Sequence, residues 1–205
     1  LPRSQIGMGN SSSQLPRDDE IETIAHETEF SRSQIVRLHA RFVSLDKKGR
    51  GFLERDDLKN VPELAVNPLG DRIVDAFFTV GGSYDDGAFA SVKRLDFRQF
   101  VRVLSFFQPI DRSKKNVHNR RTDKLKFAFI MYDLNKNGYI TREEFVVILN
   151  SMVGANITSD QLDNITDRTF AEADMAKDGR ISFEEFCKAM EKTDIEDKMS
   201  IRFLH

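Results

Sequence analysis

The stretch that most constrains this chain is the twelve-residue segment 133–144, with the sequence DLNKNGYITREE. Gly138 stands at its sixth position, where the chain must turn sharply, and Glu144 closes it with a carboxylate that can bind through both oxygens. Ca²⁺ takes six to eight hard oxygen ligands at about 2.3–2.6 Å, and oxygen-bearing groups recur here at the spacing that supplies them. The segment therefore predicts a calcium-binding loop. Its candidate ligands are the side chains of Asp133, Asn135, Asn137, Thr141 and Glu144 and the backbone carbonyl of Tyr139.

A second loop of this form occupies residues 174–185, DMAKDGRISFEE. Its third position is Ala176, which supplies no oxygen, so we expect weaker binding than in a complete loop. Apolar residues at helical spacing flank both loops, and this helix–loop–helix arrangement is the EF-hand. We expect two calcium ions, one in each loop. The candidate ligands of the second loop are Asp174, Asp178, Ser182, Glu185 and the backbone carbonyl of Arg180.

Two further hands lie upstream and lack the ligands that calcium needs. Segment 46–57 has the loop's length, with Gly51 at the turn, but Lys48 and Arg50 place cations at the third and fifth positions. This loop should keep its shape and hold no metal. Residues 81–94, between the next two helical patterns, are longer than a standard loop and out of register, so a solvated turn is expected there.

These patterns predict an all-α protein of two EF-hand lobes, in which four hands form two pairs. Within each lobe a short antiparallel β pairing should join the two loops, Leu53 with Leu95 and Ile140 with Ile181. The predicted divisions are a flexible N-terminus (1–16), an N-terminal lobe with two non-binding hands (17–107), a basic polar linker (108–122), a C-terminal lobe with two calcium-binding hands (123–193) and a tail (194–205). The tail fits a short amphipathic helix or a cover for local core equally well.

Composition excludes several classes of function. The 205 residues carry a formal net charge of −2, which argues against nucleic-acid binding through bulk electrostatics. Four histidines are scattered, and Cys187 stands alone in a predicted helix. No nucleophile, base or phosphate-binding loop forms a catalytic set, so we expect a protein that is not an enzyme.

The N-terminus carries a lipidation pattern. Met8 is followed by Gly9 and a serine-rich run, as in N-myristoylated proteins, although seven residues precede this methionine. If translation starts at Met8, we expect a myristoyl group on Gly9. One such chain gives weak, reversible membrane attachment. The expected location is the cytoplasm and the cytoplasmic face of the plasma membrane, with nuclear shuttling left open.

The aromatic composition points to a helical partner. The chain has 17 Phe and no Trp, more phenylalanine than two small helical cores readily bury. Paired hands can present an apolar groove that receives an amphipathic helix. The candidate groove residues are Phe77, Phe78, Phe100, Val103, Leu104, Phe106, Phe127, Phe129, Phe145, Ile148, Leu149 and Met152.

Two segments carry a family resemblance. PELAVNPLGDRI at 62–73 and KMSIRFLH at 198–205, together with two disabled hands, resemble the calcineurin B homologous proteins. The resemblance implies an N-myristoylated protein with calcium in the third and fourth hands. It would be a non-catalytic adaptor for the juxtamembrane cytoplasmic helix of plasma-membrane Na⁺/H⁺ exchangers, supporting their maturation, stability and pH regulation. The long second loop and Ala176 depart from that family.

Two alternative functions fit the same sequence patterns. One is the regulatory B-type subunit of a calcineurin-like Ser/Thr phosphatase, which would bind the calcineurin catalytic subunit. That family normally has four working loops, so Lys48 and Arg50 argue against it. The other is a myristoylated calcium sensor of the neuronal type.

Overall fold

The computed structural model describes residues 15–82, 84–85, 88–89, 91–110, 119–195 and 199. The first part of the chain forms six helices and a two-stranded hairpin among these residues. None of the described helices is long and apolar enough to span a lipid bilayer. The elements are α1 (Asp18–Thr28), α2 (Arg32–Leu45), α3 (Arg55–Lys59), α4 (Pro62–Ala65), α5 (Gly70–Val80), β1 (Tyr84–Asp85), β2 (Ala88–Phe89) and α6 (Phe97–Ser105).

The second part of the chain repeats the helix–loop–helix plan twice. A single turn of 3₁₀ helix, Gly154–Asn156, separates its two hands. Two short strands lie inside the loops. The elements are α7 (Arg121–Tyr132), β3 (Tyr139–Thr141), α8 (Arg142–Val153), α9 (Ser159–Ala173), β4 (Arg180–Ser182) and α10 (Phe183–Ala189).

The predicted pairings between loops are present in both lobes. Leu53 and Leu95 exchange two backbone hydrogen bonds, of 2.8 and 2.9 Å. In the other lobe β3 pairs antiparallel with β4, and Ile140 lies opposite Ile181. All four side chains are buried, at 3% exposure or less. The prediction of an all-α fold with two EF-hand lobes is confirmed.

The second hand differs from the solvated turn that the sequence predicted for residues 81–94. Residues 84–85 and 88–89 pair as the antiparallel hairpin β1–β2. The chain then returns to the end of α5, where the N–H of Val92 donates to the carbonyl of Phe78 at 2.8 Å. The extra length of this loop therefore forms a hairpin that lies outside the EF-hand plan.

Helix α7 is apolar on two faces and belongs to both hydrophobic cores. Phe127 and Ile130 are buried in the core of the N-terminal lobe, whereas Leu125 and Phe129 are buried in the core of the C-terminal lobe. The ring of Phe127 meets that of Phe77 on α5 edge to face, with centroids 6.0 Å apart. The lobes therefore share a packed helix, although the sequence pattern assigned residues 123–193 to the C-terminal lobe alone.

A buried lysine contacts backbone carbonyls from the N-terminal lobe and from the C-terminal tail. Lys124 on α7 is fully buried. Its Nζ donates to the carbonyls of Phe106 at 2.6 Å and Gln108 at 2.9 Å, just beyond the C-terminus of α6. It also lies 3.4 Å from the carbonyl of Met199. The ammonium is thus satisfied by backbone oxygens, and it lies next to the C-terminus of α6, where the helix dipole favours a positive charge.

This arrangement predicts a large stability effect for Lys124→Met. The substitution keeps the length of the side chain but leaves buried carbonyls without a donor, so the free energy of unfolding should fall by about 2–4 kcal/mol. Lys126→Met, on the same helix but only half-buried, is the matched control and should cost about 1 kcal/mol or less. Chemical denaturation followed by circular dichroism measures both. Equal losses would contradict the role given to Lys124.

Candidate metal loops and an apolar cavity

The third loop is held in a binding shape by hydrogen bonds to its two carboxylates. Asp133 Oδ2 accepts from the N–H of Gly138 at 2.8 Å. Glu144 Oε1 accepts from the N–H of Asn135 at 3.0 Å, and its Oε2 accepts from the N–H of Thr141 at 2.9 Å. Both carboxylates are 6% exposed. The first and last ligand positions of the loop are therefore buried and face the same interior.

The charge of these carboxylates is not balanced by the protein side chains that the structure describes. No described Lys, Arg or His forms an ion pair with Asp133 or Glu144. Two buried negative charges without a cation are costly, so the arrangement fits a bound metal ion. The described residues contain no cluster of three or more His, Cys, Asp and Glu side chains placed to hold a metal. A metal here therefore also requires amide, hydroxyl and backbone carbonyl oxygens, which are ligands that calcium accepts.

The fourth loop has the same backbone frame. Asp174 Oδ2 accepts from the N–H of Gly179 at 2.8 Å. Glu185 accepts from the N–H groups of Ser182 at 2.8 Å and Ala176 at 3.0 Å. These hydrogen bonds, with that from Ser182 contributing most, hold the pKa of Glu185 below its usual value. The closing carboxylate is therefore kept in the charged form that a metal ligand needs.

One predicted ligand of the fourth loop is engaged by a neighbouring cation. Asp178 Oδ2 accepts from Arg180 Nε at 2.8 Å. The guanidinium of Arg180 also lies over the ring of Tyr139 in the third loop, 3.9 Å from its centroid. The sequence pattern identified Arg180 only as a donor of its backbone carbonyl. Its side chain in fact competes with any cation for Asp178.

Glu144 and Glu185 have a second role as helix caps. Glu144 accepts from the N–H of Thr141 while the Thr141 hydroxyl accepts from the N–H of Glu144, which is a capping box at the start of α8. Ser182 and Glu185 form the same reciprocal pair at the start of α10. The residue that closes each loop thus also begins the exiting helix. Movement of this carboxylate is coupled to the position of that helix.

An apolar cavity of about 540 Å³ lies where the two lobes meet. Leu69 and Ile73 contribute from the N-terminal lobe, and Ile195 and Met199 contribute from the end of the chain. Most of its wall comes from the C-terminal lobe, through Phe127, Ala128, Met131, Tyr132, Ile140, Phe145, Met152, Ala173, Ile181, Phe186, Ala189 and Met190. The cavity also touches Ile140 and Ile181, so it lies directly behind the strands that join the two metal loops.

The structure places most of the predicted groove residues elsewhere. Only Phe127, Phe145 and Met152 line the cavity. Leu149 is half-buried. The others are core residues, which corrects their assignment to a groove: their rings and branched chains fill the space between helices within each lobe. These are Phe77, Phe78, Phe100, Val103, Leu104, Phe106, Phe129 and Ile148.

The sequence pattern missed half-buried cavity residues such as Met131, Tyr132 and Met190. Their positions next to the loops and at the end of the last hand are the signal that could have identified them. Gly9, most of the linker and most of the tail lie outside the described residues. Lipidation of Gly9 and the expected location at the plasma membrane therefore stay predictions.

Comparison with known proteins identifies the family. The model of the EF-hand domain pair matches residues 122–191. The calcineurin B of Naegleria gruberi is 40% identical over 195 residues, which are 95% of this chain and 99% of that protein. The chain belongs to the calcineurin B family. The members from Schizosaccharomyces pombe and Candida glabrata are 34% and 36% identical and cover 95% and 89% of the chain, and 98% and 94% of their own lengths.

This finding corrects the resemblance drawn from segments 62–73 and 198–205. The assignment to the calcineurin B homologous proteins was wrong, because relatives that align over nearly the full length are calcineurin B subunits. The expected function as an adaptor of Na⁺/H⁺ exchangers rested on that assignment and was wrong as well. Two short segments carried less information than identity along the whole chain. The loss of ligands at Lys48 and Arg50 did not exclude the calcineurin B family. The EF-hand match and these relatives imply calcium binding.

Proposed function

We propose that this chain is the non-catalytic, calcium-binding regulatory subunit of a calcineurin-like Ser/Thr phosphatase. The observation that carries the proposal is 40% identity to a calcineurin B over 95% of the chain. An apolar cavity between the lobes supports it, because a regulatory subunit needs a surface that holds its catalytic partner. The role of this chain is then to bind, position and stabilise the catalytic subunit, and the catalytic subunit carries out the phosphatase reaction.

The calcium sites of this subunit are the third and fourth hands. Asp133 and Glu144 supply two buried carboxylates in the third hand. In the fourth hand Glu185 supplies a buried carboxylate and Asp174 a half-buried one. Bound calcium would neutralise these charges and fix the loop conformation. Because β3 and β4 join the two loops, ordering one loop also orders its neighbour. The two sites should therefore fill cooperatively.

Glu144→Gln tests the third hand. The substitution keeps the size and the capping oxygen but removes the charge of the closing ligand, so calcium affinity at this site should fall by about a hundredfold or more. Isothermal titration calorimetry should then count one strong site fewer than in the unmodified chain. Glu143→Gln is the matched control, since its side chain is exposed on the same helix turn. An unchanged count in Glu144→Gln would remove this residue from the site.

Arg180→Gln tests the competition inside the fourth hand. Removing the guanidinium releases Asp178 from its ion pair, so calcium affinity of the fourth site should rise by about three- to tenfold. Lys177→Gln makes the same change of charge at the adjacent exposed position 177 and should raise affinity less. Calcium titrations of both variants at two salt concentrations separate the local contact from the general effect of charge. Equal gains in the two variants would contradict the local contact.

The apolar cavity is the proposed site for an amphipathic helix of the catalytic subunit. Its lining is almost entirely apolar, with Thr169 and the Tyr132 hydroxyl as the polar side-chain groups. Four flexible methionines line the wall and allow it to adapt to the side chains of a partner: Met131, Met152, Met190 and Met199. Helix-in-groove recognition by EF-hand proteins uses such surfaces.

A helical peptide from a calcineurin catalytic subunit tests this site by calorimetry, with calcium and with chelator. Met152→Glu places a charge at the cavity wall and should weaken binding by about tenfold or more. Val147→Glu changes a residue on the same helix that is also 51% exposed but does not line the cavity, and should change affinity by about twofold or less.

Absence of binding by the unmodified chain would overturn the proposed function, and so would a preference for an exchanger juxtamembrane helix. Equal effects of Met152→Glu and Val147→Glu would leave the partner in place but move its site away from the cavity.

A further inference from the structure

The first loop has the same backbone frame as the third loop, although its sequence lacks two of the candidate metal ligands. Asp46 Oδ2 accepts from the N–H of Gly51 at 2.6 Å, as Asp133 does from Gly138 in the third loop. Asp57 Oδ2 accepts from the N–H of Glu54 at 2.7 Å and so closes the loop. The glycine at the turn has φ +80° here and +85° in the third loop, both in the left-handed region. The backbone of the first loop is therefore shaped for an ion at its centre.

The guanidinium of Arg50 lies inside this loop against three of its four acidic side chains. Its Nη1 donates to Glu54 Oε2 at 2.5 Å, and its Nη2 donates to Asp57. Its Nε lies 3.7 Å from Asp46 Oδ1. The side chain of Arg50 is 19% exposed and that of Asp46 only 2%. The side chain of Asp57 is 12% exposed and that of Glu54 is 39% exposed. The cluster therefore meets water mainly at Glu54, which separates it from ion pairs whose two partners are both exposed.

The ring of Phe52 helps to hold the guanidinium in place. The Arg50 guanidinium carbon lies 5.0 Å from the centroid of this ring, and that of Arg94 lies 4.3 Å from it. Arg94 also lies 3.6 Å from the second carboxylate oxygen of Glu54. Stacking of this kind favours a planar guanidinium over an ammonium. The cation is thus fixed in orientation as well as in position.

Arg50 stands at the fifth loop position, where the other two loops carry oxygen ligands. Asn137 holds that position in the third loop and Asp178 in the fourth. The described residues give no basic partner to Asp133 and Glu144, the carboxylates of the third loop that correspond to Asp46 and Asp57. The first loop therefore neutralises its carboxylates with a side chain from within, and the third loop does not.

We propose that Arg50 is a tethered cation that permanently takes the place of a divalent metal ion in the first EF-hand. The loop holds its liganded shape without calcium, and the Leu53–Leu95 pairing that depends on this shape is present at every calcium concentration. Calcium then acts on the C-terminal lobe alone. This inference does not depend on which partner the chain binds.

Arg50→Ala in the presence of chelator is the first test. Removing the guanidinium leaves three carboxylates facing one another, so the loop should open. The amides of Gly51 and Glu54, which donate to Asp46 and Asp57, should exchange with solvent about tenfold faster or more. In the unmodified chain these amides should be equally protected with chelator and with calcium. Unchanged protection in Arg50→Ala, or protection that needs calcium in the unmodified chain, would overturn the proposal.

The second test converts the loop into a metal site. The double variant Lys48→Ala/Arg50→Asp reproduces the third and fifth positions of the fourth loop, where alanine and aspartate stand. With the tethered cation gone and a further carboxylate in its place, calorimetry should count one calcium ion more than in the unmodified chain. Calcium should also restore the protection of the Gly51 and Glu54 amides.

Lys47→Ala/Arg41→Asp is the matched control, because it makes the same change of charge at two exposed positions that are not ligand positions. It should leave the calcium count unchanged. If the loop variant gains no calcium ion, or if the control variant gains one too, the proposal that Arg50 takes the place of a metal ion in the first loop is overturned. Circular dichroism of each variant confirms that the helices are retained.

Discussion

Buried carboxylates that need a cation are the constraint on which this structure depends. In the first, third and fourth loops a backbone N–H group of the turn glycine donates to the aspartate at the first loop position and holds it toward the loop. Hydrogen bonds orient these groups but do not cancel their charge, so a cation must accompany folding or follow it. The loops meet this need in different ways. The first loop supplies a guanidinium. In the third loop no described Lys, Arg or His pairs with Asp133 or Glu144, and in the fourth loop Arg180 pairs with Asp178.

Much of the fold could be predicted from the sequence because the loops have a strict internal spacing. That spacing located Gly138 at the turn, Glu144 at the closing position and the pairing of Ile140 with Ile181. The double role of α7 could not be predicted, because a helix that is apolar on two faces gives no clear direction for its core. The β1–β2 hairpin was also missed, since a loop longer than the standard length carries no register.

The candidate sites were less predictable than the fold. A ligand position identifies a residue but not where its side chain points, so the pairing of Arg180 with Asp178 was not foreseen. Counting apolar residues also overestimated the groove, because a buried ring such as Phe78 looks the same in sequence as an accessible one. The family was missed for a related reason. Distinctive short segments were given more weight than similarity spread along the whole chain, which the calcineurin B relatives show.

The shared helix α7 has a mechanical consequence. It ends at Tyr132, and the next residue, Asp133, is the first candidate ligand of the third loop. Its buried Phe127 packs edge to face against Phe77 in the other lobe. Its Lys124 donates a hydrogen bond to the carbonyl of Phe106, the residue that follows α6. Close-packed interiors transmit displacement rather than absorb it. Helix α7 is therefore packed rigidly in both lobes, so that a tilt of this helix set at the third loop would also displace the residues of the N-terminal lobe that pack against it.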